Sequence, residues 1–253
     1  TMDAWGSIFG AGLLRPGRGM DVAGTSEIVG VSSERTVPTQ GIVSFPPVYG
    51  THVHAGPTQA GGSALEWIAP MLSMSMAEAL AEAGARARDP QPVVFLPHLA
   101  GERAPYWDPH ARGVFMGLTA STEPGDLVLA VLEGVAYSVR MLTELCEVAA
   151  GESVDTVRVC GGGARSALWN QLKATTLGRP LAVLETLEAG VLGATRLGMV
   201  AAGSGELPEL ADHHVRVRTT IDPAPDAQVR ADQLYAVYAD TYRALEPLFP
   251  RLG

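Results

Sequence analysis

The chain has 253 residues, with 18 basic side chains against 27 acidic ones, a net charge of −9 at pH 7. Hydrophobic residues make up 47% and charged residues 18%, which excludes a disordered chain and supplies the core of one large domain or two small ones. The acidic balance argues against nucleic acid or an anionic membrane as the main partner.

Cys146 and Cys160 are too few for a disulfide scaffold and lack metal-ligand spacing, so buried thiols in a reducing cytoplasm are expected. No run of 18 apolar residues predicts a membrane span, and the opening TMDAWGSIFGAGLLR lacks the basic start of a signal peptide. Lys173 is the only lysine; every other basic residue is arginine.

Five glycines crowd the first twenty positions, a spacing that suits close helix packing and tight turns. Residues 24–33 (GTSEIVGVSS) read as a strand entered from a turn. Residues 42–54 read as a second extended stretch, interrupted by Pro46-Pro47. GGSALEWIAPML predicts a short helix with Ser63 as N-cap. Residues 74–88, rich in Ala and Glu, predict a second helix that stops at Asp89-Pro90.

A brief apolar strand at 93–96 leads into the polar, proline-bearing loop PHLAGERAPYWDPHARG. The longest helical pattern runs from 123 to 150, with apolar residues at helical spacing and Gly151 as C-cap. A β-α-β-α series follows: a strand at 154–160, a Gly161-Gly162-Gly163 turn, a helix at 166–177 closed by Gly178, a strand at 180–184 and a helix at 188–202. That alternation predicts an α/β layered domain. Residues 203–225 read as a linker before a last helix at 227–248.

Several groups are candidates for chemistry, each with a bland alternative. In CGGGARS (residues 160–166) a strand runs through three glycines into a helix, which suits close backbone approach of a ligand or merely a tight turn. Gly24 and Thr25 open a strand and fit a phosphate-contacting turn or an ordinary one. Asp3 fits a general base or a helix cap. Tyr106 and Trp107 fit a ligand cover or, by preference, anchors for their loop. The histidines form no metal-ligand set, and no Walker-type loop or nucleophile elbow occurs.

In order and spacing, four blocks resemble the FGGY family of carbohydrate kinases. They are FLPHLAGERAPYWDPHARGVFMGLT (residues 95–119), AVLEGVAYSV (130–139), CGGGARSALWNQLKATTLGRPL (160–181) and EAGVLGATRLG (188–198). The resemblance covers nearly the whole chain and is strongest to the xylulose-kinase branch, although the PYWDP run also occurs in glycerol and gluconate kinases. It implies an α/β fold: an actin-like ATPase (ribonuclease H-like) domain with a mixed sheet flanked by helices. Residues 1–20 would end the N-terminal kinase domain and residues 21–253 form the C-terminal, nucleotide-binding domain. The N-terminal domain, with most sugar contacts, would be the missing partner, and the chain a truncated one.

The resemblance also implies ATP-dependent transfer of a phosphoryl group to a sugar hydroxyl, D-xylulose or a related ketopentose. The alternatives are glycerol, gluconate, or a nucleotide-binding fragment inactive by itself. Asp3 falls at the position of the catalytic aspartate, which would take the proton of the attacking hydroxyl. Gly24 and Thr25 fall at the turn near the ATP phosphates, Gly62 at the glycine ahead of the Trp-containing helix, and Gly161, Gly162, Gly163 and Ala164 at the turn against adenosine. Mg2+ would arrive with ATP, held by phosphate oxygens and water. Homodimerisation stays open. Two positions depart from the family pattern. Thr175 replaces a frequent Asp, which puts a helix-surface interaction in doubt. Ala167 replaces the Asn of glycerol kinases.

Overall fold

The structure is a computed structural model that describes residues 3–87 and 90–252, without the side chains of residues 3 and 4. Its elements, in chain order, are α1 (Asp3–Ala11), β1 (Arg18–Ala23), β2 (Glu27–Ser33), β3 (Val43–Val48), β4 (Thr51–Pro57), α2 (Gly62–Met71), α3 (Met76–Arg86), β5 (Val94–Leu96), β6 (Val114–Met116), α4 (Pro124–Ala150), β7 (Val157–Cys160), α5 (Ala167–Leu177), β8 (Leu181–Leu184), α6 (Ala189–Ala201), α7 (Leu207–His214), β9 (Val217–Ile221) and α8 (Pro225–Leu245).

Seven strands form one mixed sheet in the order β3-β4-β2-β1-β7-β8-β9. β1, β7 and β8 run parallel at its centre; the flanking pairs are antiparallel. Val29, Val31, Val157, Val159, Leu181 and Val183 pack against α4 and α5 on one face. Met20, Val53, Ala55, Cys160 and Leu184 pack against α1, α6 and α7 on the other. A sheet covered on both faces needs apolar residues at successive positions, as the fully buried LAVL of β8 has. Among the described residues no helix is long and apolar enough to cross a membrane.

α1 and α6 approach until their backbones touch. A Cβ on Gly10 would land on the Ala189 carbonyl oxygen, and one on Gly193 on that of Gly6. Only glycine permits this approach.

Three expectations need correcting. The stretch at 42–54 is a hairpin, β3 and β4, turned at Tyr49-Gly50; Pro46 and Pro47 are tolerated because β3 is a sheet edge with a bulge between Phe45 and Val48. Residues 203–225 are no linker: they hold α7 and the edge strand β9, whose mostly exposed VRTTI shows no alternating pattern. Ser63 does not cap α2; the N-cap is Gly61, without a side-chain cap bond.

Candidate functional site

Adjacent parallel strands bring their carboxyl ends together, and the loops leaving those ends shape a crevice. β1 and β7 are such a pair, with Val22 opposite Cys160. β1 leaves through Gly24, Thr25 and Ser26 into β2; β7 leaves through Gly161 into a 3-10 turn, Gly162–Arg165, and then α5. The first turn of α2 closes a third side. There Gly62 N–H donates to the Gly24 carbonyl (2.9 Å) and Ser63 N–H to that of Thr25 (3.1 Å). These bonds satisfy helix-end donors that a side-chain cap would otherwise take, which is why Ser63 is not needed as one.

The result is a cleft of about 520 Å³. It brings together Gly24, Thr25, Gly62, Gly162 and Gly163 from three separate parts of the sequence. A Cβ on Gly162 would meet nothing within 4 Å, so that glycine keeps open space open. A Cβ on Gly163 would stand 3.0 Å from that of Ala23, so there the glycine allows the two turns to approach.

Gly161 and Ala164 lie behind the lining. Gly161 takes φ +87°, a Cβ on it would strike the Ala23 carbonyl, and its N–H donates to Leu187 O (2.8 Å). Ala164 is fully buried and its carbonyl accepts from Asn170 Nδ2 (2.8 Å). Both residues support the turn. Asp3 opens α1, and its side chain lies outside the described residues.

The remaining lining is side chain. Leu65 and Glu66 come from α2, Met76 and Leu80 from α3, Arg165 and Ser166 from the turn, and Trp169 from α5. None of these is among the expected site residues, although Arg165 and Ser166 belong to CGGGARS. Met76 and Leu80, one helical turn apart, and Ser166 and Trp169, joined as N-cap and third residue of α5, were the available signals. Flat backbone, an indole, aliphatic walls and a guanidinium suit a planar polar ring carrying an anionic tail.

Beneath the cleft lies an ionic cluster. Lys173 Nζ, on α5, is 2.7 Å from Asp21 Oδ2 on β1 and 3.0 Å from Glu27 Oε2 on β2. All three side chains are 0–2% exposed. Burial, and secondly the Asp21 charge, push the Glu27 carboxyl well above the usual carboxylate range. Burial pulls the Lys173 ammonium down, but Asp21 and Glu27 outweigh it and hold it above its ordinary value.

Elsewhere, Arg103 donates to Ser26 Oγ (3.1 Å) and to the Thr58 carbonyl, which ties the GERAP loop to the β1–β2 turn. Tyr106 stacks on Tyr242 at 3.5 Å, and Trp107, 50% exposed, donates to Gly41 O (3.0 Å). Neither lines the cleft; both anchor their loop. Thr175 is buried, not on a helix surface: its hydroxyl accepts from Ala224 N (3.1 Å) ahead of α8. Cys146 and Cys160 are buried thiols, and burial pushes Cys160 up to about 12.

A mixed sheet covered by helices on both faces, with a glycine-lined crevice at the ends of its parallel strands, defines an α/β domain of the actin-like ATPase fold. A kinase from Brucella ovis, described as a xyloylose kinase, superposes with a TM-score of 0.88 at 30% identity over 97% of this chain and 51% of its own. Residues 19–202 match the C-terminal domain of the FGGY family of carbohydrate kinases, and the chain belongs to that family. It is 36% identical over 199 residues to a xylulose kinase of Escherichia coli, covering 77% of this chain and 40% of the relative. It is 31% identical over 239 residues to a glycerol kinase of Myxococcus xanthus, covering 90% and 48%. The chain thus spans about half the length of the relatives it matches.

Proposed function

We propose that this chain is the nucleotide-binding half of an ATP-dependent carbohydrate kinase. The observation that carries this reading is the convergence of Gly24, Thr25, Gly62, Gly162 and Gly163 on one cleft. The cleft fits ATP: adenosine lies against Gly162, Gly163 and Trp169, and the phosphates reach toward Gly24 and Thr25, where small residues let backbone N–H groups approach an anion. Gly161 and Ala164 belong to the same site as its support. Mg2+ enters with ATP on the phosphate oxygens.

The acceptor is a sugar hydroxyl, and D-xylulose or a related ketopentose is the first choice, supported by the identity to a xylulose kinase. Asp3, at the start of α1, takes the hydroxyl proton as general base. Residues 21–253 form the nucleotide-binding domain, a reading supported by the family match over residues 19–202, and residues 1–20 lead in from the preceding one, with their helix α1 packed on α6. That preceding domain supplies the other wall of the active site and most sugar contacts.

Calorimetric titration with MgATP tests the nucleotide site. Wild type binds saturably, and Gly162→Val, whose Cβ would meet nothing within 4 Å, loses at least tenfold in affinity while its melting temperature stays unchanged. A folded wild type that binds no MgATP rejects the site. A phosphoryl-transfer assay on a form joined to its N-terminal domain, with D-xylulose, glycerol and gluconate as acceptors, tests the substrate. There Asp3→Ala removes most turnover and leaves MgATP affinity nearly unchanged.

A further inference from the structure

The buried cluster under the cleft has no place in the chemistry just described, yet it touches the supports of both walls. Asp21 is in mid-β1 and Glu27 is the first residue of β2, so the two flank the turn of residues 24–26. Lys173 lies on α5, one turn after Trp169, and its Nζ stands 5.3 Å from the Trp169 ring. Glu27 Oε1 is 3.0 Å from where a Cβ on Gly61 would stand, directly under the start of α2.

We propose that Lys173, Asp21 and Glu27 are positioning residues that fix the separation between the turn of residues 24–26 and the wall formed by Gly162, Gly163 and Trp169. They thereby set how much better a nucleoside triphosphate binds than a monophosphate. This rests on the nucleotide reading above.

Apolar side chains of equal volume would fill the space without fixing a distance. An ammonium held at 2.7 and 3.0 Å by two carboxylates on two strands fixes it. Two carboxylates against one ammonium leave one negative charge too many for a site without water. Among the described residues, Asp21 Oδ1 and Glu27 Oε1 also lack a hydrogen-bond donor. A proton on Glu27 resolves both: it balances the charge and lets the carboxyl donate to the Asp21 carboxylate, in line with burial and the Asp21 charge weakening Glu27 as an acid. The cluster is then a neutral, closed link from α5 through β1 to β2. A monophosphate needs only the adenosine wall; a triphosphate must span both walls, so it alone senses their separation.

The test compares AMP with MgATP, by calorimetry on the 253-residue chain. In Asp21→Asn/Lys173→Met, which removes both ends of the ion pair and leaves no unpaired charge, MgATP affinity falls at least tenfold and AMP affinity by less than twofold. Glu27→Gln, whose amide can still donate to Asp21, stays within twofold of wild type for both ligands. Parallel losses for AMP and MgATP, or MgATP binding by the double variant within twofold of wild type, overturn the assignment. Should thermal melting show the double variant unfolded, Glu27→Leu decides, because it keeps the ion pair and cuts only the link to β2. A loss of threefold or more confined to MgATP supports the link, and any other pattern overturns it. Absence of MgATP binding by wild type fails the nucleotide reading itself, before any variant is compared, and the assignment with it.

Discussion

Two charge clusters, one fully buried and the other partly exposed, lie on opposite faces of the same sheet and are neutralised by different means. Under the cleft, Lys173 meets Asp21 and Glu27. Across the sheet, three guanidiniums converge on the end of α1: Arg196 donates to Phe9 O (2.6 Å) and Gly10 O (3.0 Å), Arg158 to Ala11 O (2.8 Å), and Arg18 to Gly12 O (2.8 Å). Of these, Arg18 also bonds a carboxylate, that of Asp212 (2.8 Å). Burial first, then the Arg18 charge, lower Arg158 to about 10. The first cluster sets charge against charge. The second sets charge against the negative end of a helix dipole and its terminal carbonyls. Carbonyl acceptors belong to the backbone, so no side-chain change removes them, whereas the loss of one partner from the first cluster strands the others.

The largest effect that would sharpen this contrast is expected from Lys173→Met. It leaves two buried carboxyls without a cation, and urea denaturation should show a loss of about 3–5 kcal/mol. Asp21→Asn/Lys173→Met should be less destabilised than Lys173→Met despite carrying one more change. A smaller loss, about 1 kcal/mol, is expected for Arg196→Met: two hydrogen bonds are lost, but Nε and Nη2, both buried without partners among the described residues, no longer need satisfying. An equal loss at the two positions would break the comparison.

The smallest effect is a pH slope. Glu27 binds its proton more tightly in the folded chain than in the unfolded one. Its contribution is therefore fully present below the ordinary carboxylate range and is lost as pH rises through the raised folded value. Glu27→Gln removes that term, so the difference in unfolding free energy between wild type and variant should shift toward the variant as pH rises from about 4. A difference that does not change with pH would show that Glu27 titrates normally.

Much of the frame was legible in the sequence because its signals are local. Pro124 at the start of α4 and Gly151 in the left-handed conformation at its end bracket the longest helix. Ser166 and Gly178 bracket α5 in the same way. The edge strand β9 was not legible, since exposed Arg218, Thr219 and Thr220 carry no periodicity, and β1 was hidden between glycines. For the site, the glycines could be picked out as turn formers, but nothing local tells that Gly162 faces open cleft while Gly161 is pressed on Ala23. The ionic cluster joins positions 146 and 152 residues apart. Its traces in the sequence are an acid on either side of the Gly24-Thr25 turn, Asp21 within β1 and Glu27 opening β2, and a lone lysine among arginines.

That lone lysine has a practical consequence. Amine-directed acylating reagents find no accessible lysine on the folded chain, because Lys173 is 2% exposed and held by two carboxylates. Beyond any label on a terminal α-amine, one further mass increment can arrive only after α5 has parted from β1. Intact-mass spectra taken over time would therefore count openings of this part of the core, using a reporter that the protein already carries.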